Sequence, residues 1–444
     1  MSELDKLVEK GVHYGEKLGA EEIEICLAKG ITRNAKSEGL EVRGESKTIE
    51  QGSIRVAIGK RVGITYITSL SEELLSDSIK AAIKIAKASE EDPFWQGLPD
   101  PEKPIHSWVG YDEGLATLNI QDLIAFVKEL VGRASQYDDR IKVARAEVGL
   151  GISWEVIANN HGLYAEDKGT NMHAFAYVKG KESNKESTGY GYVVSRSLVI
   201  EFEPMIERAI KLARDGLKAV PFKDKYSGPV VLSPEIFASL ISHVLIPATL
   251  ASSVQEGLSP LRGKRNKEVF SKEFTLIDDG TLPGGIRTSL YDGEGVPRRR
   301  TVIFEKGVLK SFLYNTYTAR RENVRSTGNA TRAGTGISPT NLIVSRGSKS
   351  REKLISSLDK GIFLDGMLLS VHTVNTVTGD YSVVVTNPYL IRNGDIETPL
   401  RQLTFAGNIY RSFKREFTAA NDARWTSYSV LTPTVIIGES TLSD

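Results

Sequence analysis

Four side chains in the second half of the chain have the chemistry for acid–base work: His243, Asp278, Asp292 and Glu294. An imidazole titrates near neutrality and can act as a general base. Carboxylates on neighbouring loops, Asp278-Asp279 and Asp292-Gly293-Glu294, could exchange a proton or hold a hard cation. Each also has a plainer reading, and that reading is preferred. A lone histidine is most often a packed side chain, and Asp-Gly and Asp-Gly-Glu-Gly are turn sequences whose Asp accepts backbone hydrogen bonds. His13, His106, His161, His173 and His372 are scattered, none at metal-ligand spacing from another His or Cys. Ser195, Ser242 and Ser326 lie in no G-x-S-x-G elbow, so a serine nucleophile has no signal. Gly284-Gly285 and Gly334-x-Gly336 lack the phosphate-loop pattern. Arg298-Arg299-Arg300 is a short basic run before a strand, suited to a solvated edge. No residue is assigned to a metal or a cofactor.

These candidates belong to one unit, residues 228–329. It opens with an apolar strand at 229–232. Ser233-Pro234-Glu235 is helix-start chemistry: an N-cap, a proline at the first helical position and a first-turn acid. Ile236, Phe237, Leu240, Ile241, Val244 and Leu245 then recur with the spacing of a buried helical stripe. A hairpin over 300–313 turns at Glu305-Lys306-Gly307, and Ser326-Thr327-Gly328-Asn329-Ala330 closes the unit.

Upstream, the periodicity predicts a helix over 4–18 and strands at 22–28, 38–45, 53–58 and 62–68. Ser69-Leu70-Ser71-Glu72 reads as a capping box opening a helix to about residue 88. A proline-rich crossing follows over 91–111. Then come a helix over 119–135 and strands at 141–149, 154–159, 163–167, 172–178 and 188–195. Asn159-Asn160-His161-Gly162 is a turn, and a helix spans 203–218. Downstream, short strands turn at Asp279-Gly280, Lys306-Gly307, Asn393-Gly394 and Gly407-Asn408, with one helix over 348–360. The expected fold class is α+β: N-terminal α+β modules followed by a large, mostly antiparallel, barrel-like β domain. The expected division is 1–90, a linker over 91–118, 119–221 and 222–444.

With 444 residues, 40% hydrophobic and 25% charged, this is the composition of a globular protein of two or three domains. A net charge of +1 gives no reason to expect nucleic acid or an anionic membrane. A single cysteine, Cys26, excludes an internal disulfide framework and fits a reducing compartment. With an N-terminus charged in both signs and no apolar run long enough for a bilayer, a cytoplasmic location is expected.

The ordered set "VVLSPEIFASLI", "TLIDDGT", "YDGEGVP", "IFEKGVLKSFLYNTYTA" and "STGNA" resembles the TldD/PmbA (TldE) family of peptidase subunits. "GIFLDGM", "VTGDYS", "YLIRNGDI", "TFAGNIYRSF" and "TPTVIIGE" extend the resemblance to the C-terminus. "GKRVGITYITS", "EDPFWQGLP" and "VIANNHGL" carry it more weakly into the N-terminal half. In the zinc-binding members, the helix after the first of these strands carries His-Glu-x-x-x-His. Here the first His falls on Ser242, the Glu on His243 and the second His on Pro247. A hydroxyl and a proline cannot replace two imidazoles, Pro247 should end or kink the helix, and the family's C-terminal cysteine ligand is missing. The resemblance therefore implies the non-zinc PmbA/TldE branch: a non-catalytic subunit with no cofactor of its own. Its partner would be a TldD-like homologue that carries the zinc and cleaves unfolded or modified peptides, as a heterodimer or larger hetero-oligomer. The alternatives are a stand-alone peptide-binding or assembly protein, for instance a homodimer, and an autonomous hydrolase using His243 with Asp278 or Asp292.

Overall fold

The computed structural model describes residues 3–107 and 110–444. Met1 and Ser2 of the charged N-terminus and Trp108 and Val109 of the crossing segment lie outside the described residues.

Alternating apolar residues and amphipathic stripes build α1 (Glu3–Lys17), β1 (Glu22–Glu38), β2 (Glu41–Ile58), β3 (Arg61–Ile67) and α2 (Glu72–Ala88). After the crossing and a short helix, α3 (Glu113–Thr117), the same plan returns. It comprises α4 (Ile120–Tyr137), β4 (Ile141–Asn159), β5 (Tyr164–Glu182), β6 (Lys185–Ser195) and α5 (Glu203–Leu217). All six strands join one antiparallel sheet in the order β3-β2-β1-β4-β5-β6. The order is a palindrome about the β1–β4 pair, so the sheet holds two copies of one helix–three-strand–helix plan. Leu7, Val8, Leu75, Ile79 and Ile83 of α1 and α2 close the first core over β1 and β2. Leu123, Val127, Ile206 and Ile210 of α4 and α5 close the second over β4 and β5.

The two edge strands make the duplication physical. A Cβ at Gly63 of β3 would lie 2.1 Å from the carbonyl oxygen of Ala82 and 2.5 Å from the amide nitrogen of Ala86, both in α2. A Cβ at Gly189 of β6 would lie 1.9 Å from Ala209 O and 2.8 Å from Ala213 N in α5. In each copy a glycine on the edge strand lets the closing helix lie directly on the sheet.

Several strand boundaries differ from the sequence reading. The segment read as 38–45 spans the end of β1, a turn and the start of β2, and 53–58 is the inner end of the same β2, whose outer half is mostly exposed and polar and so lacks alternation. The pairs 141–149 with 154–159, and 163–167 with 172–178, are single strands β4 and β5. Gly149 and Gly151, at the gap left between 141–149 and 154–159, are close approaches, because the side chains of Asn34, His173 and Asn171 lie over them. The cap of α2 is Ser71, whose side chain accepts from Leu74 N, rather than Ser69. The turn after Asn159 stands as read, with Gly162 at φ 86.

The C-terminal half carries two further sheets. One contains β7 (Tyr226–Leu232), followed by α6 (Pro234–Leu240). The other contains β8 (Leu276–Asp279), β9 (Arg300–Glu305), β10 (Val308–Leu309) and β11 (Leu342–Val344). Then come β12 (Lys360–Leu369), β13 (Asp380–Arg392), β14 (Asp395–Pro399), β15 (Leu403–Asn408) and β16 (Phe417–Ala419). β17 (Arg424–Trp425), β18 (Val430–Thr432) and β19 (Val435–Ser443) complete the chain. β7, β12, β13, β15 and β19 pair in a ring, closing a five-stranded barrel. The remaining sheet runs β10-β9-β8-β11-β18-β17. Positive φ at Lys306 and Gly307, and at Asn393 and Gly394, supports the two hairpin turns read from sequence. Gly407-Asn408 is not a turn: it ends β15, and Asn408 caps the next helix by accepting from Tyr410 N and Arg411 N. The helix read over 348–360 is only Arg351–Ile355, because the chain enters β12 at Lys360. Among the described residues no helix is long and apolar enough to cross a membrane.

Alanine at Gly63 or Gly189 must push a helix off its sheet. Each substitution is expected to destabilise the protein by about 1–3 kcal/mol, the usual cost of overpacking. Urea unfolding of Gly63→Ala and Gly189→Ala checks this; an unchanged midpoint for both would contradict the packing described.

Candidate functional site

The helix that begins at Pro234 does not keep one register. It is α-helical to Leu240, π-helical over Ile241–Leu245 and 3-10 over Ile246–Thr249. Pro247 accounts for the change. In a continuous α-helix its ring would meet the carbonyl of residue 243 and its missing N–H would leave an acceptor unpaired; a widened turn relieves both. Phe237 holds the helix down, packing against Phe413 and Phe417 with ring centroids 5.5 and 5.7 Å away.

His243 sits on the π-helical turn, partly buried. Its Nδ1 lies 2.8 Å from the carbonyl oxygen of Ser239. A carbonyl only accepts, so Nδ1 carries the proton. The ring meets Tyr428 edge-on, 5.5 Å between centroids. Among the described residues His243 is in no ion pair or hydrogen bond with Asp278, Asp292 or Glu294, so no histidine–carboxylate pair is formed. Nor does any group of three or more His, Cys, Asp or Glu among the described residues have the arrangement to hold a metal ion. At the aligned positions, Ser242, His243 and Pro247 offer one imidazole, already turned to a backbone carbonyl, and the register change removes the regular spacing that places two ligands on one face. These residues do not fit a zinc ion.

The three acids lie inside the protein instead. Asp278 accepts from Asn329 Nδ2 at 2.7 Å and from the backbone and hydroxyl of Thr340 at 2.5 and 3.0 Å. Asp292 accepts from the amides of Glu294, Val296 and Ala330 at 2.9, 3.0 and 2.9 Å. The bonds from Glu294 and Val296 are the local ones that turn chemistry predicts for Asp292, and the bond from Ala330 ties the turn to a distant segment. Glu294 accepts from Thr316 N at 3.0 Å and from Arg55 Nη1 at 2.8 Å. Arg55 reaches with its other nitrogen to Glu24, 2.7 Å away. Side-chain exposure is 3% for Arg55 and 1% for each glutamate, so this is a buried triad shared between β1, β2 and the 291–297 loop. Burial pushes Glu24 up to about 7 against the pull of Arg55. Burial and the neighbouring Glu294 push Asp292 up to about 7. Burial pushes Asp278 up to about 6 despite its hydrogen bonds.

Sequence reasoning missed the walls around the α6 helix. Glu235 accepts from the amide and hydroxyl of Ser427 and is mostly buried, which raises its carboxyl. Tyr190 and Tyr192 of β6 stack at 6.3 Å and face Glu235 electrostatically, as does Tyr428. Arg208 of α5 pairs with Asp365 of β12 beside them. The one available signal was Gly189-Tyr190-Gly191-Tyr192: glycines on one face against α5 and tyrosines on the other. Ser427-Tyr428, the tyrosine pair and the start of α6 meet around Glu235 as a polar and aromatic face where the duplicated sheet adjoins the barrel.

Glu24 and Asp292 titrate higher folded than unfolded, so the folded state holds extra protons near neutrality. Their contribution to stability is full below the ordinary carboxylate range and is lost as pH rises through about 7. The urea midpoint should fall from about pH 5 to about pH 8, and Glu24→Gln should flatten that fall. An identical slope in wild type and variant would count against the burial of the acid. Arg55→Met, which strands two acids, is expected to lose about 3–5 kcal/mol.

Residues 113–217 match the PmbA/TldA metallopeptidase central domain and residues 224–444 match the PmbA/TldA metallopeptidase C-terminal domain. An uncharacterized protein of Methanocaldococcus jannaschii is 30% identical over 437 residues, 97% of this chain and 98% of that protein. Metalloprotease PmbA of Escherichia coli O157:H7 is 25% identical over 416 residues, 92% of this chain and 88% of its own. The crystal structure of TldE from Thermococcus kodakarensis superposes with a TM-score of 0.92 at 25% identity, covering 99% of this chain and all of that one. The sheet, the barrel and the ordered motifs are thus those of known relatives along the length of the molecule, and the chain belongs to the PmbA/TldA metallopeptidase family.

Proposed function

We propose that this chain is a PmbA/TldE-type subunit of a cytoplasmic TldD/TldE-type peptidase complex, and that it is not the catalytic half. The observation that carries the reading is the α6 helix: Ser242 and Pro247 stand where the zinc-binding members place imidazoles, and the helix changes register there. No step of peptide hydrolysis is routed through these residues. The zinc belongs to a TldD-like homologue, where it would polarise the scissile carbonyl or activate water. This chain supplies the walls of the shared cleft: it covers an extended, unfolded or modified peptide by main-chain pairing and aromatic contact, and it keeps folded proteins out. Likeness along nearly the whole chain to the Thermococcus TldE and to the Escherichia metalloprotease PmbA supports the same assignment.

Purified alone, the chain should hold no stoichiometric zinc and cleave no peptide. Mixed with a family homologue carrying His-Glu-x-x-x-His, it should form a hetero-oligomer with peptidase activity, all of the zinc residing in the homologue. Metal analysis, size measurement and casein or peptide cleavage on each chain and on the mixture decide this. Tightly bound stoichiometric zinc, or metal-free cleavage by the isolated chain, would sink the proposal. His243→Ala should leave kcat of the mixture within about twofold, since its ring is held by Ser239 O and Tyr428; a loss of about 100-fold or more would place it in general-base catalysis.

A further inference from the structure

A cavity of about 290 Å³ lies at the seam between the β4–β5–β6 side of the sheet and the 286–298 segment. Three guanidinium groups line it: Arg196, Arg287 and Arg298. Among the described residues none of the three is in an ion pair. Each is instead clamped along one edge by neutral groups. Arg196 donates from Nη1 to Thr170 O at 3.1 Å and from Nη2 to Thr288 O. Arg298 donates from Nε to Ser289 Oγ at 2.9 Å and from Nη1 to Gly328 O at 2.7 Å. Arg287 donates from Nε to Ser429 Oγ at 3.2 Å. Donors remain on each: both Nη groups of Arg287, Nη2 of Arg298, and Nε of Arg196, which is buried without an acceptor.

Arg196 is drawn largely out of water with Asp167 near it but no direct ion pair, and three guanidinium groups with donors to spare around one space suit a planar or tetrahedral anion. The acids on the same wall already have partners. Asp167 accepts from Leu290 N and Lys168 N, each at 2.8 Å, and Glu155 pairs with Arg332 at 2.9 Å. They still favour a single negative charge over a doubly charged phosphate. The volume suits the end of a chain, and Ile286 and Pro339 add an apolar wall for a side chain. Arg287 also ties the cavity to the polar face beside α6, since it contacts Ser429 and acts electrostatically on Tyr192.

We propose that this cavity receives the C-terminal carboxylate of a peptide whose preceding residues lie across the polar face beside α6. The assignment rests on the peptidase-subunit reading and sharpens it. The complex would select peptides with a free carboxyl end, such as fragments released by other proteases, over internal loops.

The test is calorimetry on the full chain with N-acetyl-trialanine as the free acid, the same peptide as its amide, and inorganic phosphate. The acid should bind at least about tenfold more tightly than the amide, the effect of losing a charge-assisted contact. Arg287→Gln, an exposed position whose loss should leave the urea midpoint unchanged, should abolish that difference. Equal binding of acid and amide, no binding of the acid, an unaffected Arg287→Gln variant, or phosphate binding more tightly than the acid would each overturn the inference. The subunit reading fails separately. If the mixture with the zinc homologue is active but cleaves acid and amide peptides at equal kcat/KM, only the carboxylate site is lost. If the chain binds the acid yet neither joins nor activates the homologue, only the subunit reading is lost.

Discussion

One arginine between two carboxylates, in a place water does not reach, fixes how the halves of this molecule meet. Glu24 and Arg55 are cross-strand partners in the β1–β2 register, so the first half of the triad is set by the sheet itself. Glu294 arrives from the other half on a turn that Asp292 ties together through two of its backbone amides and anchors to Ala330 through a third. Trp95 of the crossing segment covers the guanidinium at 5.6 Å. Gly334 must be glycine: it has φ +61, and a Cβ there would sit 2.1 Å from Arg55 Nη1 and 2.2 Å from Glu294 Oε1. Breaking such a triad from one side leaves an uncompensated buried charge, so the arrangement tolerates little displacement.

Around that point the seam is built from further long side chains reaching across it. Arg320 donates to the carbonyls of Gln96, Gly97 and Leu98, Arg299 and Arg325 share Glu102, and Arg332 reaches Glu155 and Cys26. Arg208 holds Asp365, whose carboxyl burial would raise but whose arginine partner brings down to about 2. A seam of charge-assisted bonds is directional where an apolar one is not. It sets how the duplicated sheet meets the barrel, and with it how the β6 tyrosines lie against the start of α6.

The fold was legible in the sequence wherever side chains had to alternate or repeat against a core. The stripe from Ile236 to Leu245, the α4 face and the hairpin at Lys306-Gly307 all declared themselves. Legibility failed where structure is set by distant partners. The outer half of β2 is mostly exposed and polar, with only Val42 and Ile49 as large apolar residues, so it has no alternation to read. The continuity of β4 past residue 149 was not legible, because the side chains lying over Gly149 and Gly151 come from Asn34, Asn171 and His173, which the local sequence does not reveal. The change of register at Ile241 was half visible: Pro247 announced a disturbance, though not that a π turn would absorb it. Of the candidate residues, His243 beside α6 and the buried Asp278, Asp292 and Glu294 could be nominated by type, but not Glu235, Tyr190, Tyr192 or Arg287. Those four come from three separate segments and meet only in the assembled molecule.

The composition of the polar face beside α6 bears on what it is for. A helix that has no use for ligands could be buried under apolar side chains, which cost less than Glu235 held against a serine hydroxyl beside three tyrosines. Fold stability alone therefore gives no reason for a carboxylate, a histidine with a free ring nitrogen and aromatic hydroxyls on this face. The neighbouring cavity adds three guanidinium groups that, among the described residues, form no direct ion pair and keep donors to spare. Polar groups held in place with donors left over are what recognition of a flexible, polar chain requires, because pre-set partners lower the ordering cost of binding it. On the proposed reading, loss of the metal ligands removed chemistry from this half of the family scaffold, and the walls that meet the peptide stayed.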